Sequence, residues 1–337
     1  MSLENTSSAS SSKPSPTGDG PKVVFMGTPD FAVPSLTALV ESGYKPIAVV
    51  TGPDKKRGRG QNLSPTAVKK AALNAGIRHI LQPEDVRDPN FAEALAILEP
   101  DIIVVVAFRI LPVSVFSLSK IGTFNLHGSL LPKYRGAAPI NRAIMAGDHE
   151  TGVTTFLLQE KVDTGNMLIN RSMPIGPNET AGEVHDRMML IGARAVVDTV
   201  EMLLKGDFQP EAQDNSSASP APKIFKQDCE IDWNRPVHEV HNQIRALSPY
   251  PGAFTSLGEK NFKIWRSIVL NPEGELGKPG TVIEPGTETE LAPRLVVAGR
   301  SGSLELLSVQ LEGKKAMDAG DFLRGSAVPI GTLLGSM

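Results

Sequence analysis

DIIVVVAF, residues 101–108, is an unbroken apolar run of strand length. A strand with water on one face alternates apolar and polar side chains, so a continuous run predicts a strand covered on both faces, as in the middle of a parallel sheet. Working outward, KVVFMG (22–27) and PIAVV (46–50) read as further strands, with helix-length periodic segments between them. This alternation from Lys22 to Gly206 is the pattern of βαβ units and predicts an α/β domain with a mostly parallel sheet over 21–206. Helix boundaries are legible as well. Ser64 before Pro65 and Asp88 before Pro89 read as caps ahead of a first-turn proline, and Gly76 as the glycine just past a helix end. Thr180-x-x-Glu183 is a capping box opening a long helix that closes at Gly206.

Residues 207–223, DFQPEAQDNSSASPAPK, have the polar, Pro-rich and Ser-rich composition of a linker crossing a surface. Beyond them the period changes. A helix candidate at 236–248 is followed by AFTSLG, FKIWRSIVL, GTVIEP, RLVVAG and SLELLSVQ, short strands that predict a small β-barrel domain over 224–337. Residues 1–20, rich in Ser, Pro and Gly with no apolar block, read as a disordered arm.

The totals limit what the chain can be. At 337 residues it is too long for one ordinary core and suits two domains. A formal net charge of -3 excludes a polycation drawn to phosphate as a whole, so any nucleic-acid contact is local. No apolar run approaches the roughly 20 residues that cross a bilayer, and the first twenty residues hold no signal-peptide core, so no membrane role and a cytoplasmic location are expected. A single cysteine, Cys229, excludes a disulfide framework and a Cys-based zinc site, and the six histidines form no H-x-x-x-H pair, so no metal is expected.

Three stretches carry chemistry. GTPDFAVPSL (27–36) stands where a dinucleotide fold would show G-x-G-x-x-G, and only Gly27 fits, which argues against a nicotinamide cofactor. TGPDKKRGRGQNLSP (51–65) sets Lys55, Lys56, Arg57 and Arg59 in a loop of about a dozen residues, a length that is usually functional or disordered. It is either a solvated basic loop or an arm that grips phosphate and orders on binding. NLHGSLLPKYRGAAPINRA (125–143) places Asn125 and His127 two apart at a strand end, where a period of two turns both to one face above the sheet's carboxyl edge. An amide N–H and a protonated imidazole N–H aimed together can hold a negatively charged oxygen. The plainer alternative is a histidine hydrogen-bonded within the core.

A third group favours the first alternative. Asp163, in QEKVDTGNML, follows another strand, TGVTTFLLQ, and a carboxylate reaching the imidazole would favour its charged form and fix the ring. Ser129 lacks the G-x-S-x-G elbow of a hydrolase nucleophile. An oxyanion site with a proton manager and no protein nucleophile suits direct transfer between two bound substrates.

The set GTPDFAVPSL, the basic GRG loop, NLHGSLLPKYRGAAPINRAI, TGVT, VDTG and SPYPGAF closely resembles the methionyl-tRNA formyltransferase family, over nearly the whole chain from about Lys22. The resemblance implies a Rossmann-like catalytic domain followed by an OB-like barrel. It implies transfer of the formyl group of 10-formyltetrahydrofolate, a cosubstrate, to the α-amino group of initiator methionyl-tRNA, by direct attack through a tetrahedral intermediate, for translation initiation. On matching positions, Asn125 would hydrogen-bond the formyl oxygen and His127 would stabilise the oxyanion. Asp163 would position His127 and help move the proton. Ser129, Leu130, Leu131 and Pro132 would line the folate site. The loop at 55–60, with Arg59 in its GRG turn, would enter the acceptor end of the tRNA, and Arg245 of IRALSPYPG would contact it from the barrel. A monomer is expected.

Two departures stand out. AFRILP (107–112) replaces a Gly-containing turn one residue longer, at the wall of the pterin pocket. Residues 224–337 hold 12 Lys plus Arg against 14 Asp plus Glu, so a barrel contact with tRNA rests on a patch. The alternatives are a formyltransferase acting on a small-molecule amine, a formyltetrahydrofolate hydrolase, and a catalytically silent RNA-binding protein. The KKRGRG loop favours tRNA over the first, and intact Asn125, His127 and Asp163 speak against the last.

Overall fold

The computed structural model describes residues 20–57, 62–206, 208–285 and 293–335. Two compact units emerge, one running to Leu126 and taking in Val196–Gln209, the other comprising His127–Ala195 and the chain from Pro210.

The first unit runs β1 (Val23–Gly27), α1 (Val33–Glu41), β2 (Ala48–Val50), β3 (Lys55–Arg57), β4 (Asn62–Ser64), α2 (Ala67–Asn74), β5 (Ile80–Leu81), α3 (Pro89–Ala96), β6 (Ile102–Val106), α4 (Val113–Phe116) and β7 (Gly122–His127), whose last residue opens the second unit. Within it the strand order is β7-β6-β1-β2-β5, with every pair parallel. The apolar run that predicted a doubly covered strand is β6, and all five of its residues are buried, as are all five of β1. The chain turns from one side of β1 to the other between β5 and β6, so the crevice at the carboxyl ends of β1 and β6 is a topological switch point. A cavity of about 260 Å³ opens there, lined by Thr28, Gly52, Lys55, Thr66, Phe108 and Arg109 among others.

The basic segment is more ordered than a loop. Its flanks, β3 and β4, pair antiparallel as a ribbon, with Lys55 opposite Ser64 and Lys56 opposite Leu63. Because Ser64 is used in that pairing, α2 starts later than expected, and its cap is Thr66, whose hydroxyl accepts from the Lys69 N–H at 3.1 Å. The other boundaries fall where the sequence puts them. Asp88 caps α3 ahead of Pro89, and Gly76 sits past α2 at φ 71.

The second unit contains β8 (Arg135–Gly136), α5 (Pro139–Met145), the antiparallel pair β9 (Glu150–Leu157) and β10 (Met167–Pro174), the start of α6 (Ala181–Lys205), β11 (Pro220–Ala221), α7 (Val237–Ala246), β12 (Ala253–Leu257), β13 (Lys260–Asn271), β14 (Val282–Pro285), β15 (Leu295–Ala298), β16 (Ser303–Leu311), β17 (Met317–Asp318) and α8 (Ala319–Gly325). The capping box at α6 is formed, with the Glu183 carboxylate accepting from the Thr180 N–H at 2.8 Å and the Glu183 N–H donating to the Thr180 hydroxyl at 3.3 Å.

The late strands form an antiparallel curled sheet in the order β12-β13-β16-β15-β14, with β17 on β16. The chain's last described residues join its two edges, since Leu334 bridges Leu257 at the end of β12 and Leu333 bridges Thr281 just before β14. Val237, Val240 and Ile244 of α7 pack into the core with Phe262, Leu304 and Leu306.

The stretch expected as a surface linker is tied down in this unit. Glu211 bridges Met167, Gln213 is buried, and β11 pairs parallel with β8. Among the described residues, no helix is long and apolar enough to cross a membrane.

Candidate active site

Asn125 and His127 lie in β7, where the alternation of a strand sends residues two apart to one face. The Asn125 side chain is half-buried and makes no hydrogen bond to any described residue, which leaves its carboxamide available. His127 is 6% exposed. Its Nε2 lies 2.8 Å from the main-chain oxygen of Tyr134, and a carbonyl only accepts, so Nε2 carries the hydrogen. That leaves Nδ1 outside this hydrogen bond. Nδ1 faces Asp163 Oδ2 at 4.0 Å, with the Phe156 ring edge-on at 6.5 Å between centroids.

The expected carboxylate therefore comes to the imidazole, yet 4.0 Å is too long for a hydrogen bond and suits a bridging water. The hydrogen bond that orients the ring is the one Nε2–H donates to the Tyr134 carbonyl. Asp163 has its own anchor, since its Oδ2 accepts from the Gly136 N–H at 2.9 Å. One short turn, Tyr134-Arg135-Gly136, thus holds both groups.

This turn has an unusual backbone. Tyr134 sits at φ 61 and Gly136 at φ 125, and a Cβ on Gly136 would lie 2.6 Å from the Ala221 carbonyl oxygen. Only glycine fits there. Asp163 is also left-handed, at φ 54, and is held from outside by Gln213, whose Nε2 donates to the Asp163 carbonyl at 3.0 Å and to the Gly165 carbonyl at 2.8 Å. The Oε1 of Gln213 accepts from Arg135 Nη2 at 2.6 Å, closing the loop. Tyr134, Gly136 and Gln213 were not among the residues picked from sequence. The Tyr-Arg-Gly turn carried a signal in its glycine, whereas Gln213 sits in a composition that reads as linker.

The predicted folate wall divides. Ser129 is fully buried, its hydroxyl donates to the Lys133 carbonyl at 2.6 Å, and its own carbonyl accepts from Thr154 Oγ1. Leu131 belongs to a small core with Phe156 and Met167. Leu130 and Pro132 keep partial exposure. Leu130 lines a cavity of about 360 Å³ with Lys133, Tyr134 and Asp148.

Of the predicted tRNA-gripping cations, Lys55 and Lys56 are exposed on β3. Arg57 ends that strand, and Arg59 lies outside the described residues. The base of the ribbon is anchored by Lys69, whose ammonium donates to Asp54 at 2.7 Å and to Gln82 at 2.6 Å. The hydrogen bond from Lys69, and then one from Gln82 Nε2 to Asp54 Oδ1 at 2.8 Å, hold the Asp54 carboxyl below its usual range. Arg109, in the AFRILP departure, borders the 260 Å³ cavity and donates to the Pro83 and Glu84 carbonyls.

Arg245 is placed otherwise than expected. It is 5% exposed, with Nε donating to Asn242 and Nη1 to the Gly176 and Glu179 carbonyls. Burial pulls its pKa below the usual value, against the opposing charge of Glu179. A guanidinium spent in this way braces the 176–179 turn and is not presented to a nucleic acid.

Within the second unit, a buried imidazole held at Nε2 and a carboxylate facing its other nitrogen, with no serine or cysteine nucleophile among the described residues beside them, form a candidate group-transfer site. Residues 21–200 match the formyl transferase family and residues 223–327 its C-terminal domain, so the chain belongs to the formyl transferases. It is similar to the methionyl-tRNA formyltransferase of Chlorobium phaeovibrioides, at 49% identity over 94% of this chain and 98% of that one. That of Chlorobium luteolum is 48% identical over 90% and 96%. Among solved structures, an N-formyltransferase from Helicobacter canadensis, in complex with folinic acid and dTDP-3-aminofucose, superposes with a TM-score of 0.63 at 23% identity, covering 85% of this chain and 99% of that one. That likeness is one of fold.

Proposed function

We propose that this chain transfers the formyl group of 10-formyltetrahydrofolate to the α-amino group of methionyl-tRNA in translation initiation. The observation that carries the reading is the turn at Tyr134–Gly136, which holds a buried His127 by Nε2 and turns its Nδ1 toward an anchored Asp163. Such a site offers proton management and oxyanion stabilisation without a covalent intermediate on the protein.

As the amine attacks the formyl carbon, a C–N bond forms and the formyl oxygen takes up negative charge. Asn125 donates to that oxygen, and His127, protonated at Nδ1, adds a second donor. The C–N bond to the donor then breaks and the oxygen regains its double bond. The proton lost by the amine reaches the departing nitrogen through His127 and Asp163, with the 4.0 Å between them spanned by water. An α-amino group has a pKa of about 8 and needs little activation, so holding the reactants together supplies much of the rate.

Leu130 and Pro132 offer surface to the folate, while Ser129 and Leu131 act from behind by fixing the 129–133 turn. Lys55 and Lys56, with Arg57 and Arg59, meet the phosphates of the acceptor arm, and Arg245 takes no part in that contact. The test is incubation with 10-formyltetrahydrofolate and charged initiator tRNA, beside uncharged tRNA and buffer. The formyl group is expected on the methionyl amine alone. Formate released equally in all three would replace this reading with a hydrolase.

A further inference from the structure

We infer that Tyr134 and Asp148 are positioning residues for His127, the phenol held by the Asp148 carboxylate fixing the main-chain carbonyl that orients the imidazole. The inference rests on the proposed role of His127. The hydrogen bond at Nε2 runs to the Tyr134 carbonyl, so the ring follows wherever that peptide points. The peptide is set at φ 61, a left-handed conformation that a bulky residue adopts only when its surroundings impose it.

Two local tethers act on Tyr134 itself. Its N–H donates to Ser219 Oγ at 2.9 Å, and its hydroxyl donates to Asp148 Oδ2 at 2.8 Å. The second is charge-assisted and therefore the stronger kind. Burial first, and then the neighbouring Asp148 carboxylate, push the phenol well above its ordinary pKa, so it stays a donor throughout the working pH range.

Asp148 is itself rigidly presented. It follows α5 in a Schellman turn, with the Gly147 N–H donating to the Ile144 carbonyl and the Asp148 N–H to the Ala143 carbonyl. Gly147 sits at φ 81, and a Cβ there would lie 2.9 Å from Asn242 Nδ2. A helix end thus sets the carboxylate, the carboxylate sets the phenol, and the residue carrying the phenol sets the imidazole. None of these groups needs to touch a substrate. The cavity of about 360 Å³ lined by Tyr134 and Asp148 can admit water, so removing the phenolic oxygen leaves Asp148 solvated and the fold intact.

The experiment compares Tyr134→Phe, Asp148→Ala and Asp148→Asn, each alone and combined with His127→Ala, by steady-state kinetics, melting temperature and the ¹⁵N resonances of the His127 ring. Tyr134→Phe and Asp148→Ala are expected to lower kcat about tenfold, the scale of one charge-assisted hydrogen bond. KM for methionyl-tRNA and the melting temperature should hold, and the His127 resonances should shift. Asp148→Asn, which keeps an acceptor, recovers part of the loss. On a His127→Ala background the same substitutions should change the residual rate less than about twofold, because the ring through which they act is gone. Unchanged kcat and unchanged resonances in both Tyr134→Phe and Asp148→Ala would overturn the inference, as would an undiminished loss on the His127→Ala background. A His127→Ala enzyme of normal rate would instead remove the proposed role of His127, leaving the resonance shifts to judge the orientation alone.

Discussion

Asp163 and Tyr134 are both non-glycine residues in left-handed conformation, at φ 54 and φ 61; Tyr134 holds the His127 ring through its carbonyl, and Asp163 faces that ring. Strain of this kind persists only where neighbouring contacts over-determine it, and here they are the Gly136 N–H, Gln213 and Asp148. At this scale His127→Ala and Asp163→Ala are each expected to lower turnover by at least about a hundredfold, as for the loss of an oxyanion donor or of the carboxylate that handles its proton. A near-normal rate in either variant, with folding checked by circular dichroism, would refute the assigned roles. Asn125 and His127 were candidates in sequence because the strand period points at them, and Asp163 because it follows another strand. Tyr134 was not, because its contribution is a carbonyl oxygen, which every residue owns.

The start of α6 joins local signal to long-range contact. Its capping box was written in Thr180-x-x-Glu183, but the partner that most strengthens it, Arg266 on β13, lies 83 residues away. Burial works against the charged form of Glu183. Hydrogen bonds from Arg266 and from the Thr180 N–H and hydroxyl outweigh it and bring the carboxyl down to about 2. A folded pKa below the unfolded one means that the unfolded chain binds the proton more readily, so stability falls as the medium becomes acidic. The contribution is complete above the unfolded glutamate value of about 4.3 and is lost as pH drops toward 2. Glu183→Gln is thus expected to be less stable than the parent at pH 6 and to converge with it near pH 2, as measured by urea denaturation. A constant difference across that range would mean that the ionised carboxylate contributes nothing. The shifted cap of α2 has a similar cause, since pairing in β4 takes Ser64 and leaves Thr66 to start the helix.

For the molecule as a whole, the charge pattern separates two tasks. With a net charge of -3, attraction for tRNA has to come from a patch, and the β3–β4 ribbon, with Lys55 and Lys56 exposed on an anchored base, is the patch we propose. Neutralising Lys55, Lys56, Arg57 and Arg59 together is expected to raise KM for methionyl-tRNA and to flatten its log–log salt dependence, by about one unit of slope for each phosphate no longer neutralised. Folate affinity, read by fluorescence titration, should hold, and equal loss of both would contradict the division. The two edges of the curled sheet are bridged by residues 333–334, where Leu334 is 2% exposed and bridges Leu257. Leu334→Ala is expected to cost about 2–5 kcal/mol of stability in denaturant titration. A cost within error would mean that the edge-joining contact is dispensable.

From sequence alone come the parallel sheet, most helix ends, the late strands and the pairing of the candidates Asn125 and His127 on one strand, since all depend on period, capping and spacing within short windows. Tertiary structure decided what depends on distant partners. Gln213, in a stretch with the composition of a linker, became the buried support of Asp163. Arg245, in a motif matching a tRNA-binding family, was drawn inward by two backbone carbonyls. The free nitrogen of His127 was selected by a carbonyl seven residues on. Composition reports how often a residue type meets water, but only the folded chain determines which donors its acceptors meet.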